Sequence, residues 1–258
     1  MGMKRLGALA LAACMMLGGL GALAEDFDVA PVKMENPPEA ISTQEEGELE
    51  TYDLTFPEDM PLAARNFVLT ARAQFELHPF EKLPKANDYT KWYYHDKREI
   101  GWCSVFQIWC AYHSGLQLIR YKQGVEAAPD LCISAMEGRV GNVYLAFEEQ
   151  GRWLQADEIE AVPKPGYLVI YGVRGSTPYT HVAIVESVTE LGDGVYELTT
   201  IEGNVNSTIK RMNYRYDATP KQKYYNMSVV PEGEITRENC QYTLQKDTWY
   251  VTGFAKTW

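Results

Sequence analysis

The sequence predicts an α+β domain in which N-terminal helices pack on an antiparallel β-sheet, and two features of its patterning carry that prediction. Apolar residues recur at helical spacing in the first part of the folded region, whereas from residue 166 onward the chain breaks into short β-rich runs separated by Gly and Pro. Helices first and hairpin-connected strands afterward are the pattern of an α+β fold.

The first helix is expected over residues 61–76, where Phe67, Leu69, Ala71 and Phe75 follow Pro61, a residue suited to a first helical turn. The run 103–115 is apolar on most sides and ends at Gly115, so it reads as a buried helix. A further helix is expected around 143–149. Strands are expected at 167–171, 181–188, 195–201 and 249–254, with Leu191-Gly192-Asp193-Gly194 turning a hairpin between the second and third. Residues 205–247 read as irregular, and no internal repeat is present.

Ahead of this domain, residues 1–24 run from Lys4-Arg5 through an apolar stretch to Ala22-Leu23-Ala24, the order of a secretory signal. Leu11-Ala12-Ala13-Cys14 also resembles a lipobox, and the apolar run is just long enough to serve as an uncleaved anchor. All three readings put the domain outside the cytoplasmic membrane, secreted or in the cell envelope, and signal cleavage would leave no stable membrane insertion. Residues 25–60 hold twelve Asp or Glu against one Lys, so this segment alone accounts for the net charge of −11. With four prolines and few aromatics it is expected to be a disordered linker. The remaining domain, 61–258, is nearly neutral and offers no basic stripe for nucleic acid.

Five cysteines, one of them Cys14 in the leader, are too few and too scattered for a disulfide framework, and no Cys-x-x-Cys pair suggests zinc. Cys103 differs from the rest in its position at the expected start of a helix. Helix termini carry about half a positive charge and free N–H groups, and both favour thiolate. A hairpin centred between Leu191 and Gly192 sets His181 opposite Glu202, with Cβ atoms roughly 5 Å apart. An acid facing an imidazole holds its tautomer and stabilises the imidazolium, which is what a thiol nucleophile requires of its base. Asn204, two residues on, would share that face and orient the ring or bind an oxyanion. Cys110 lies two helical turns, about 10.5 Å, from Cys103 and reads as core. His78, His95 and His113 read as ordinary surface or helix residues. The aromatics Trp92, Tyr93, Tyr94 and Trp102 are open to two readings, core packing or the lining of a substrate groove. The loop carrying Arg174 and Tyr179, just before His181, is likewise either a plain hairpin loop or a border of the cleft.

In order and spacing, several segments resemble the CHAP family of cysteine, histidine-dependent amidohydrolases and peptidases. They are Asn87-Asp-Tyr89-Thr90-Lys91-Trp92-Tyr93, Trp102-Cys103-Ser-Val-Phe106-Gln-Ile-Trp109, Pro163-Lys-Pro165-Gly166, His181-Val-Ala-Ile184, Glu202-Gly203-Asn204 and Val251-Thr-Gly253-Phe254. The resemblance implies a papain-like α+β fold, with Cys103 as nucleophile, His181 as base, and Glu202 and Asn204 as orienting groups. It also implies hydrolysis of an amide bond in peptidoglycan, by an N-acetylmuramoyl-L-alanine amidase or a stem- or bridge-peptide endopeptidase, with no cofactor or metal. Two positions depart from the family pattern: Tyr167 stands where Asp is usual after Pro-Gly, and Gly101 where Pro is common. A secreted protease or acyl transferase acting on proteins shares the same residue logic, and a non-catalytic wall-binding protein is the alternative of a different class.

Overall fold

The computed structural model describes residues 55–78, 81–124, 126–156, 161–219, 226–228, 242–243 and 248–258, all within the unit Thr43–Trp258. The expected leader, most of the acidic linker, Cys14 and Cys240 lie outside the described residues.

Helix α1 (Leu62–Leu77) buries Ala64, Phe67, Val68, Ala71 and Phe75, a stripe at the three-and-four spacing that turns one helix face to the core. Pro61 stands just ahead of it, and its carbonyl accepts the first helical bond, from Arg65 N–H at 3.0 Å. Helix α2 (Asp88–Tyr94) is an element the periodicity did not announce. Its signal is local: Asn87 caps it by accepting from Thr90 N–H at 3.1 Å. Helix α3 (Cys103–His113) is buried on most sides, as its composition predicts, and the chain leaves it through Gly115 at φ +77°. After the short parallel pair β1 (Gln117–Ile119) and β2 (Ile133–Ala135), helix α4 (Val140–Glu149) occupies the expected place near 143–149.

The remaining strands are β3 (Trp153–Gln155), β4 (Leu168–Val173), β5 (His181–Gly192), β6 (Val195–Val205), β7 (Thr208–Asp217), β8 (Met227–Ser228), β9 (Tyr242–Thr243) and β10 (Trp249–Ala255). They form one sheet in the order β3-β10-β4-β5-β6-β7-β8, antiparallel throughout, with β9 adding a parallel pairing to β7. Strand β7 corrects the expectation of irregular chain over 205–247. It begins at the tight turn Asn206-Ser207, both residues left-handed, and buries Met212, Tyr214 and Tyr216 at period two.

Two apolar cores flank this sheet. One lies between the sheet and the helices and includes Phe67, Val105, Phe106, Ile108, Leu168, Ile170, Val182, Ile184 and Ile201. Each such fully buried side chain contributes roughly 1.5–3 kcal/mol. The other, on the opposite face, gathers Val169, Tyr171, Val185, Leu198, Tyr214, Tyr216, Val251 and Phe254. The sheet curls around this second core, because strands far apart in its order meet across it. Tyr216 of β7 packs edge-on against Phe254 of β10 at 5.1 Å, and the buried Asn226 side chain bonds both the N–H and the carbonyl of Val251.

Glu186 sits at a β-bulge between Val185 and Ser187 and faces the helices. Its carboxylate, fully buried, accepts from Arg72 of α1 and Arg211 of β7, each at 2.5 Å. This pins α1 to two strands with charge in a place where charge is costly. Removing one member of a buried ionic cluster typically costs about 3–5 kcal/mol. Glu186→Gln is therefore expected to lower the unfolding free energy by about that amount. Denaturant titration checks it, and a change well under 1 kcal/mol would show the cluster to be dispensable.

Candidate active site

Cys103 is the first residue of α3, and that tip abuts the start of β5. Its approach to the sheet depends on Gly203 of β6, where an added Cβ would lie 2.5 Å from Cβ of Phe106 and 3.0 Å from the Trp102 ring. No larger residue permits α3 to lie so close to the strand that carries Glu202.

The Cys103 thiol lies within interaction range of the His181 imidazole and of the backbone N–H groups of Val182 and Ser104, and each of them acts to lower its pKa. Burial by itself pushes this thiol up, but the imidazole's bond and charge, together with the two N–H groups, outweigh it. The net shift is downward from 9.0. His181 responds in the opposite direction. Burial lowers its basicity, yet its bonds and attraction to Cys103 and Glu202 prevail and push it up to about 10. The site therefore favours a thiolate beside an imidazolium.

Glu202 holds the other side of the ring, with Oε2 2.9 Å from His181 Nε2. Both side chains are largely enclosed, at 12% and 5% exposure, so water screens this pair little. Because Nε2 is committed to Glu202, Nδ1 is the nitrogen left for the sulfur.

The expected contact between His181 and Glu202 is present, but through a different register. Asp193-Gly194, both left-handed, form the two-residue turn between the paired Gly192 and Val195, which moves the hairpin centre two residues along. With one-residue bulges at Leu191 and at Glu186, Ile184 then pairs Ile201, and Glu202 falls opposite Ala183. The shift is even-numbered, so His181 and Glu202 keep the same face and meet as diagonal neighbours.

Asn204 does not continue along that face. The pairing of β6 with β7 is interrupted between Glu202 and Val205, and Asn204 adopts φ +65°. This bulge turns the Asn204 amide toward Gly101, where a Cβ would lie 3.4 Å from Nδ2. The amide thus stands beside the segment leading into Cys103.

Three residues expected to contact substrate fare differently. Trp102 is fully buried, stacked on Tyr89 at 5.8 Å and edge-on to Phe106, so it has no surface to offer and belongs to the core. Tyr179 is part-exposed and stacks on Tyr144 of α4 at 4.5 Å. Arg174 is exposed in the β4–β5 turn. Of the other aromatics, Tyr93 is buried, and Trp92 packs on Tyr112 and His113. Cys110 is buried core, its thiol pushed well up by burial, and Cys132 is a free thiol.

Sequence reasoning missed the surroundings of Glu202. Thr200 donates to Oε1 at 2.7 Å and Tyr171 donates to the same oxygen at 3.2 Å. Tyr171 also stacks on the His181 ring at 5.9 Å, and Trp249 meets that ring edge-on at 6.2 Å. The signal was the alternation of Thr200 with Glu202 on one strand, but Tyr171 becomes visible only once β4 is registered against β5. Tyr167, at one of the departures from the family pattern, is buried against the Trp258 ring.

Residues 92–204 match the family model of the CHAP domain, and that stretch contains Cys103, His181, Glu202 and Asn204. The match brings with it amidase- or peptidase-type hydrolase activity, in this family often directed at peptidoglycan. The helices and mostly antiparallel sheet are compatible with that domain. No curated protein and no solved structure matches the chain.

Proposed function

From the CHAP match and the arrangement of Cys103 beside a His181 that is hydrogen-bonded to Glu202, we propose that this protein is an exported cysteine amidohydrolase of papain-like fold that cleaves an amide bond in bacterial peptidoglycan. The observation that carries the reading is the thiol at a helix tip beside an imidazole whose Nε2 lies 2.9 Å from a buried carboxylate.

In this mechanism the Cys103 thiolate attacks the amide carbonyl carbon, forming a C–S bond and a tetrahedral oxyanion. Neighbouring donors stabilise that oxyanion, and losing one such donor typically costs about 3 kcal/mol. The backbone N–H of Cys103 at the helix tip and the Asn204 amide near Gly101 are the groups positioned for this part. His181 then gives its proton to the leaving amine as the C–N bond breaks, leaving an acyl-enzyme. Water, deprotonated by His181, attacks the thioester and releases the carboxylate product with the thiol restored. Glu202 keeps the ring oriented and offsets its positive charge throughout. Tyr179 and Arg174, on the turn that leads into His181, are proposed to border the substrate cleft.

Digestion of purified peptidoglycan followed by mass spectrometry of the soluble products tests this reading. The expected products carry one new amine and one new carboxyl at a muramoyl–alanine, stem-peptide or bridge-peptide bond. Intact peptidoglycan, with cleavage of protein substrates instead, would replace it with a secreted protease.

A further inference from the structure

We infer that Tyr171 is a positioning residue of this site, one that fixes both the carboxylate of Glu202 and the ring of His181 through a buried hydroxyl chain begun by Tyr214. The inference rests on reading Cys103 and His181 as the reacting pair and adds a residue which the match to the family does not name.

The geometry is specific. Tyr171 pairs directly with His181 across β4 and β5, and its ring lies nearly parallel to the imidazole, 17° apart in plane. Its hydroxyl donates to Glu202 Oε1 at 3.2 Å. A phenol has one proton to give, so with that proton on Glu202 the contact between the Tyr171 and Tyr214 hydroxyls must have Tyr214 as donor. Both tyrosines are fully buried. Burial, reinforced by the charge of Glu202, pushes both phenols well up, so both remain protonated donors at any pH at which the site works.

With Thr200 also donating to Oε1, that oxygen holds two hydroxyl partners, and Oε2 alone faces His181. The carboxylate cannot rotate without breaking two buried bonds. Orientation of the imidazolium is therefore set from two sides, by the carboxylate edge and by the Tyr171 ring face.

The test uses the full-length protein. Tyr171→Phe keeps the ring and deletes the hydroxyl. It is expected to lower kcat on peptidoglycan roughly tenfold with KM unchanged, a loss of the size expected for one hydrogen bond to a charged group. The thiolate absorbance of Cys103 should titrate at higher pH than in wild type. In a Glu202→Gln background the same substitution should produce no further loss, because Tyr171 acts through that carboxylate. Tyr171→Phe also leaves the Tyr214 hydroxyl unpaired, so the double variant Tyr171→Phe/Tyr214→Phe separates folding from positioning. Removing both hydroxyls should recover stability but not kcat. Wild-type kcat and thiolate titration in Tyr171→Phe, an additive loss in the Glu202→Gln background, or kcat recovered along with stability in the double variant would each overturn the inference. If Cys103→Ala itself retains activity, the parent reading fails instead, so the two failures are distinguishable.

Discussion

Replacing His181 by alanine is expected to reduce kcat/KM by about 10²–10⁴-fold, the range of a lost general acid and base. It should also move the Cys103 titration upward. Without the imidazole, burial of the thiol is opposed only by the N–H groups of Val182 and Ser104. In the wild type Cys103 ionises below its ordinary 9.0, and His181 stays protonated up to about 10. Between those two values the ion pair exists, so activity rises as pH passes the lowered thiol value and falls as it approaches about 10. Stability follows the same groups. The contribution of His181 is fully present below its unfolded value of 6.5 and is lost as pH rises through about 10. That of the thiolate is present above 9.0 and is lost as pH falls through the lowered folded value. The rate of alkylation of Cys103 against pH measures the pair directly. His181→Ala alkylating like wild type at neutral pH would mean that the imidazole does not set the thiol's reactivity.

Gly203→Ala is expected to disable the site without touching any group that carries charge. The new Cβ would meet Cβ of Phe106 at 2.5 Å, backbone-proximal atoms that no flexible side chain can withdraw. Either α3 retreats from β6 or the strand bends, and either motion separates Cys103 from His181. Overpacking of this kind costs about 1–3 kcal/mol, and a displacement near 1 Å at the reacting atoms is worth about 10²-fold in rate. The expected result is a folded protein with a lowered thermal midpoint and activity reduced by about that factor. Wild-type kinetics in this variant would show that the helix tip tolerates movement.

Much of the architecture is legible in the sequence because local rules and tertiary packing agree there. The stripe Phe67, Val68, Ala71 and Phe75 yields α1, and the nearly all-round apolar run after Trp102 yields the buried α3. Strand β7 was hidden by Lys210, Arg211 and Arg215, charges uncommon in a central strand. Arg211 is bonded to Glu186, a partner 25 residues away. The hairpin register was misread because Leu191-Gly192-Asp193-Gly194 contains two glycines able to turn, and the bulge at Glu186 has no local signal. The His181–Glu202 contact survived that misreading because a two-residue slip preserves which face a side chain occupies. Trp102 and Tyr171 illustrate the limit. Trp102 is enclosed by Tyr89 and Phe106 together with the distant Gly203, and Tyr171 is tied to Glu202 and Tyr214, 31 and 43 residues on, so neither role can be read from local spacing.

The most direct measurement is the clearing of a suspension of purified cell walls by the wild-type protein and by Cys103→Ala, with both shown to be folded. The account predicts clearing by the first and none above buffer by the second. Equal clearing by both would mean that the thiol at the tip of α3 does no chemistry.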